Sequence, residues 1–109
     1  MSETVLERLR ADLKVALANR DRLEMSQIRT LIAAVENAEA VEVETSTRPR
    51  FGLDHDVPRR VLDTEDVTRI VTLERDELVD SVSRYRELGL VDEAAELETR
   101  LRIVERYLD

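Results

Sequence analysis

The sequence has no cysteine, a single histidine, and only two glycines and two prolines among its 109 residues. Without cysteine the chain forms no disulfide, no thiolate zinc site and no cysteine nucleophile. So little glycine and proline argues against a β-sandwich, which needs many turns. The longest apolar run, residues 31–35, is far too short to span a membrane. We therefore expect a soluble, cytoplasmic protein with one domain built of long helices.

Charged residues are abundant in the sequence, and they are unevenly distributed. The net charge is −8 at pH 7, and residues 63–109 carry fourteen acids against seven bases. Residues 1–39 carry seven acids against six bases, and residues 40–62 carry four of each. Because phosphate neutralisation supplies most non-specific affinity for nucleic acids, this balance disfavours a general nucleic-acid binder. One local basic patch remains compatible with it.

The first part of the chain predicts a helical hairpin. Apolar residues recur at helical spacing over residues 5–17, and Thr4 followed by Glu7 predicts a capping box at the start. Asp21 begins the same motif for a second helix, which we expect to end near Glu39. Because only two or three residues separate the helices, they are expected to pack antiparallel.

The second part predicts another hairpin. A third helix is expected from Asp63 or Thr64 to Leu88, where Gly89 can adopt the left-handed conformation that ends a helix. Asp92 is expected to cap the fourth helix. The prediction is therefore an all-α fold, in which two antiparallel helical hairpins form a four-helix bundle.

Some apolar residues do not fit a single buried stripe. Leu17 and Leu88 belong to the inward stripes of the first and third helices, and we expect both to be buried. Ile103 lies about 180° from the stripe of the last helix, and Leu73 and Val79 flank that of the third. We expect these last three to be exposed, either singly, as is ordinary, or as a protein-interaction surface for a helical partner or a second copy.

The sequence contains no recognisable catalytic motif. No serine has the glycines of a nucleophile elbow, and two isolated glycines exclude a phosphate loop. Asp54, His55 and Asp56 are adjacent potential metal ligands, but the remaining histidine and cysteine ligands of a metal centre are lacking. We therefore predict no catalytic residues, no metal site and no cofactor.

Residues 41–61 predict a long loop between helices two and three, because they contain both prolines and several turn-forming residues. Four arginines of the loop surround its phenylalanine: Arg48, Arg50, Phe51, Arg59 and Arg60. Such a cluster can hold phosphates and stack a base, or its arginines can pair with the acids of helices three and four. Arg10 and Lys14, one turn apart on the first helix, are further candidates for phosphate contact.

The order of the helical motifs resembles the GatB/YqeY family. The resemblance is strongest over residues 6–37, which include the segments LERLRADLKVAL, NRDRL and SQIRTLIAAVEN. It continues with LDTEDV from Leu62, YRELG from Tyr85, AAELE from Ala94 and ERYL from Glu105. It covers the chain except the loop, and residues 1–109 are identified as one YqeY-like helical domain without the family's three-helix tail domain.

The resemblance implies a function as well as a fold. The family comprises small YqeY-like proteins and the C-terminal region of the B subunit of the glutamine-dependent Glu/Asp-tRNA amidotransferase. Activation and amide formation, a carbon–nitrogen ligation with glutamine as amido donor, occur in other domains of that enzyme. The resemblance therefore implies a non-catalytic accessory associated with tRNA or with an amidotransferase complex. The alternative is an acidic interaction or self-association module with no role in RNA binding.

Overall fold

The computed structural model describes residues 4–46 and 62–108, and for residues 41–46 it describes the backbone alone. Within these ranges the chain is helical without strands, and its helices are α1 (Val5–Ala18), α2 (Arg22–Ser46), α3 (Thr64–Glu87) and α4 (Val91–Glu105). The helices of each pair, α1 with α2 and α3 with α4, pack against each other, and α2 also packs on α3 and α4. The predicted all-α fold of two hairpins is confirmed.

Side-chain caps begin the helices where the sequence predicts them. The Thr4 hydroxyl accepts a hydrogen bond from the Glu7 N–H at 3.1 Å, and the Glu7 carboxylate accepts one from the Thr4 N–H at 3.3 Å. Asp63 forms the same reciprocal box with Asp66 at the start of α3. Asp21 accepts from a backbone N–H in the first turn of α2. These caps satisfy amide groups that have no partner inside the helix.

Two helix boundaries differ from the prediction. Helix α2 ends at Ser46 rather than near Glu39, because residues 40–46 contain neither glycine nor proline to stop it. The predicted loop over 41–61 is therefore shorter at its beginning, and residues 47–61 lie outside the described residues. Helix α4 begins after Leu90 rather than after Asp92. Asp92 instead lies in the first turn, where its negative charge interacts favourably with the helix dipole.

The turn after α3 has the geometry of a Schellman motif. Gly89 has a φ of 76°, as predicted, and its N–H donates to the Arg86 carbonyl at 3.0 Å. The Leu90 N–H reaches back to the Tyr85 carbonyl at 2.9 Å. A glycine adopts this left-handed conformation without steric cost, which explains why α3 ends there.

The turn after α1 repeats this motif with a different residue. Arg20 has a φ of 56°, and its N–H donates to the Leu17 carbonyl at 3.2 Å. The Asp21 N–H donates to the Ala16 carbonyl at 3.0 Å. Arg20 therefore holds the position that Gly89 holds in the other hairpin, although an L-residue pays a steric cost in this conformation.

The core lies where α1, α2, α3 and α4 converge. Its buried cluster consists of Leu9, Ala16, Ile28, Leu31, Val71, Ile103, Val104 and Tyr107. Further partly buried apolar residues of α1, α2 and α3, together with Leu108 after the end of α4, pack around this cluster. Apolar contacts between the two hairpins therefore hold them together as one unit.

Ile103 corrects one of our expectations, because its exposure is only 8% and it belongs to the core. Helix α4 packs on α3 and also on α2, so it buries apolar residues on more than one side. The reverse error affects Leu17 and Leu88, which we expected to be buried but which are 44% and 66% exposed. Both lie beside a hairpin turn, where none of the described helices covers them.

Candidate functional site

Five of the predicted phosphate-binding residues lie outside the described part of the chain: Arg48, Arg50, Phe51, Arg59 and Arg60. The other two lie on the exposed side of α1. Arg10 is paired with Glu36 of α2, with 3.3 Å between its Nη2 and the carboxylate Oε2. Lys14, one turn further along, is exposed and forms no ion pair with any other described residue. Of the candidates that the structure describes, Lys14 is thus fully available to an anion.

The acids of the first hairpin are largely engaged by the protein itself. Glu7 and Asp21 cap helices, and Glu36 pairs with Arg10. Asp12 accepts the hydrogen bond of the Tyr107 hydroxyl, and the Glu24 carboxylate lies 2.5 Å from the Arg106 guanidinium. Arg106 therefore balances the charge of Glu24, whereas Tyr107 binds the Asp12 carboxylate without changing its charge.

Most bases of this hairpin, in contrast, are not in ion pairs. Four exposed cations, which we call the turn cations, have no ion pair or side-chain hydrogen bond to another described residue: Lys14, Arg20, Arg22 and Arg29. Lys14 lies four residues before the end of α1, and Arg29 seven residues after the start of α2. At 1.5 Å per residue, they lie within about 6 and 10 Å of the turn.

Helical register places most of these cations on one side of the hairpin. Arg22, Arg29 and Glu36 are spaced by seven residues, which is two helical turns, so they share a face of α2. Arg10 and Lys14 share a face of α1 for the same reason. Because Arg10 and Glu36 form an ion pair, those two faces adjoin. The turn cations therefore lie close together around the end of the hairpin.

A second cluster surrounds the buried Tyr107. The ring centre lies 5.1 Å from the guanidinium carbon of Arg8 and 5.8 Å from that of Arg106. Burial, and then the hydrogen bond to Asp12, raise the pKa of the Tyr107 phenol well above its usual value. A phenol that stays neutral and holds its proton against a carboxylate positions α4 on α1 rather than acting as a base.

A third polar cluster joins α2 to α4. Arg100 donates to the Ser26 hydroxyl at 3.2 Å and to the Gln27 side-chain oxygen at 3.3 Å. Its guanidinium also lies 3.8 Å from the Glu96 carboxylate. Gln27 is only 3% exposed, so this bond satisfies a polar group that burial would otherwise penalise. This cluster is also structural.

A surface groove of about 490 Å³ runs between α3 and α4. It is lined by Val79, Val82, Ser83, Arg86, Glu87, Glu98, Leu101 and Arg102. An ion pair between Arg86 and Glu98 joins its two walls. Its remaining lining combines the apolar side chains of Val79, Val82 and Leu101 with the polar side chains of Ser83, Glu87 and Arg102, so the groove has the chemistry of a contact surface.

Of the predicted interaction residues, two are exposed. Leu73 is 59% exposed and Val79 46% exposed, whereas Ile103 is buried and is therefore removed from this surface. Six residues separate Leu73 from Val79, which places them about 120° apart on the helix. They do not form one continuous patch. A denser apolar surface lies at the α3–α4 turn, where Leu88, Leu90 and Val91 are 66%, 40% and 71% exposed.

Neither metal chemistry nor a membrane span has support in the described residues. Across residues 4–46 and 62–108, no group of three or more histidine or acidic residues is arranged to hold a metal ion. Likewise, none of the helices there is both long and apolar enough to cross a membrane. His55 and its neighbouring aspartates lie outside the described residues.

The chain was also compared with known proteins. No family model matches it, and no curated protein is significantly similar to it. The functional argument therefore depends on the residues themselves.

Proposed function

We propose that this protein is a non-catalytic helical domain that acts by binding, as an accessory of tRNA or of a tRNA-dependent amidotransferase. The resemblance to the GatB/YqeY family suggests this partner class, and it is strongest over residues 6–37. Any amidotransferase activity would belong to the partner, since the clusters around Tyr107 and Arg100 are occupied in joining helices. No buried side-chain nitrogen or oxygen of the described residues lacks a hydrogen-bond partner.

The distribution of free charge is the observation that supports an RNA partner. The protein is acidic as a whole, yet its first hairpin exposes unpaired bases while most of its acids are engaged. A polyanion is attracted to such a local patch even when the net charge of the protein is negative. The loop arginines Arg48, Arg50, Arg59 and Arg60, with Phe51, and Arg10 and Lys14 of α1 are the predicted contacts from the sequence.

The test is binding of the purified protein to bulk tRNA, followed by fluorescence anisotropy from about 50 to 200 mM salt. We expect saturable binding that weakens with salt, with a log–log slope of about 0.7 to 0.9 for each phosphate contact. A variant with glutamate at all four loop arginines should bind more weakly and with a flatter slope. Absence of binding at the lowest salt would refute the tRNA role.

A second candidate function is a protein-interaction or self-association module without an RNA role. It is favoured by the exposed apolar residues Leu88, Leu90 and Val91 at the α3–α4 turn, next to the acidic surface of that hairpin. Sedimentation at high micromolar concentration should then show oligomers that a Leu88→Ser, Val91→Ser variant loses. A strictly monomeric profile would contradict self-association.

A further inference from the structure

The two hairpin turns have different residues at the position with a left-handed backbone conformation. Both have the Schellman hydrogen bonds, but the left-handed residue is Gly89 in one and Arg20 in the other. Among the described residues, Arg20 is the sole non-glycine with a positive φ. Glycine is the residue that fits this position best, and asparagine is the usual substitute. An arginine here places a long cation at the tip of the hairpin at a conformational cost.

The neighbours of Arg20 show that this cation is part of a group. Lys14, Arg22 and Arg29 have no acid three or four residues away in the sequence, and none of them forms an ion pair with another described residue. Side chains at those spacings are the ones that pair along a helix. The acid nearest to these cations is Asp21, between Arg20 and Arg22, so four cations stand against one carboxylate that is in no ion pair, and this end of the hairpin keeps a net positive charge.

The second hairpin provides the contrast. Its arginines are mostly paired: Arg69 with Asp66, Arg75 with Asp76, Arg86 with Glu98 and Arg100 with Glu96. Ion pairs thus engage most bases of the second hairpin, whereas in the first hairpin four bases stay outside any ion pair and Glu24 and Glu36 are each paired with an arginine. The resulting charge asymmetry orients a polyanion towards the α1–α2 turn and away from α3 and α4.

We propose that the α1–α2 turn is a phosphate-binding surface for an RNA backbone, formed by Lys14, Arg20, Arg22 and Arg29. This inference rests on the proposed function and adds a contact surface that the sequence analysis assigned only at Lys14. Three of the four cations are arginines, whose planar guanidinium groups bind phosphate oxygens in pairs. Because the surface lies on two packed helices, its backbone is preformed, and binding orders only the side chains of the cations.

The first experiment replaces three of these cations by neutral residues. The variant is Lys14→Gln, Arg22→Gln, Arg29→Gln, and the matched control, Arg69→Gln, Arg84→Gln, Arg102→Gln, removes the same charge from the acidic hairpin. We expect the turn variant to bind tRNA at least tenfold more weakly at 50 mM salt, with a slope lower by about 0.7 to 0.9 for each lost contact. The control should remain within a few-fold of the wild type.

The second experiment uses Arg20→Gly, which removes a cation while relieving the backbone. We expect this variant to melt at a higher temperature than the wild type and yet to bind tRNA several-fold more weakly. A loss of affinity in a more stable protein cannot result from partial unfolding. It would therefore assign the loss to the cation itself.

The possible outcomes separate this inference from the function it rests on. If the wild type does not bind tRNA at any salt, the proposed function fails and the inference with it. If the wild type binds and the loop variant is impaired, but the turn variant and Arg20→Gly keep the wild-type affinity and slope, only the inference is overturned. It is also overturned if the turn variant loses self-association instead of tRNA binding, since the turn would then contact an acidic protein surface.

Discussion

The hydroxyl of Tyr107 donates its hydrogen bond to the carboxylate of Asp12, ninety-five residues earlier in the sequence. This bond joins the end of the last helix to the middle of the first. The guanidinium groups of Arg8 and Arg106 lie near the Tyr107 ring, and each adds a favourable cation–π contribution. Tyr107 thus connects the two hairpins through a polar and an apolar contact at once.

We predict that Tyr107→Phe destabilises the fold by about 1 to 2 kcal/mol, because it leaves the partly buried carboxylate of Asp12 without its donor. The ring and its packing are retained, so the loss reports the hydrogen bond. Urea unfolding followed by circular dichroism measures the change. The control is Tyr85→Phe at the other tyrosine, which should change stability by less than about 0.5 kcal/mol. Equal losses in both variants would contradict this role.

The core position of Ile103 gives a second prediction. Ile103→Ala should destabilise the protein by about 2 to 4 kcal/mol, because it removes buried methyl groups from the core cluster. Leu73→Ala should cost less than about 0.5 kcal/mol, since that side chain is 59% exposed. Thermal and urea unfolding of the two variants test this difference. A small effect at Ile103 would restore our original expectation that it lies on the surface.

Substitutions at the left-handed residues of the two Schellman turns should change the free energy of unfolding in opposite directions. Gly89→Ala should cost about 1 kcal/mol, since an alanine is strained at a φ of 76°. No heavy atom lies within 4 Å of an added Cβ there, so this loss measures the backbone conformation alone. Arg20→Gly should gain a similar free energy of unfolding. Differential scanning calorimetry tests both, and a destabilised Arg20→Gly variant would contradict the strain at that turn.

The raised pKa of Glu74 predicts that the stability of the protein depends on pH. Burial, and then repulsion from Glu77, raise the pKa of the Glu74 carboxyl above its usual 4.5. The folded state therefore binds this proton more tightly than the unfolded chain, so the charged carboxylate lowers stability at neutral pH. Glu74→Gln should add up to about 0.5 kcal/mol at pH 7. The gain should shrink as the pH falls through the raised pKa and disappear well below 4.5, which unfolding curves at several pH values would show.

Local features of the fold were predictable from the sequence. The capping box at Thr4, the cap at Asp63 and the helix stop at Gly89 depend on residues within one turn, and all are confirmed. The position of Ile103 was not predictable in this way. A hydrophobic stripe reveals a single buried face, whereas the burial of α4 depends on α2 and α3 together.

The candidate surface was only partly predictable for a related reason. Arg22 and Arg29 lack an acid three or four residues away, and that pattern was visible in the sequence. The engagement of Asp12 by Tyr107 and of Glu24 by Arg106 was not, because it depends on which residues the fold brings together. Net charge over a segment therefore underestimates the positive charge that the segment exposes.

The hydrogen bonds that residues 106 and 107 form with the first hairpin have a consequence for folding during translation. These partners are separated by 82 to 98 residues, so the first hairpin leaves the ribosome long before they are made. Until then Glu24 lacks its Arg106 partner, and Asp12 lacks the hydrogen bond from Tyr107. We therefore expect the hairpin alone to be only marginally stable, and the domain to reach its native state once α4 has been translated.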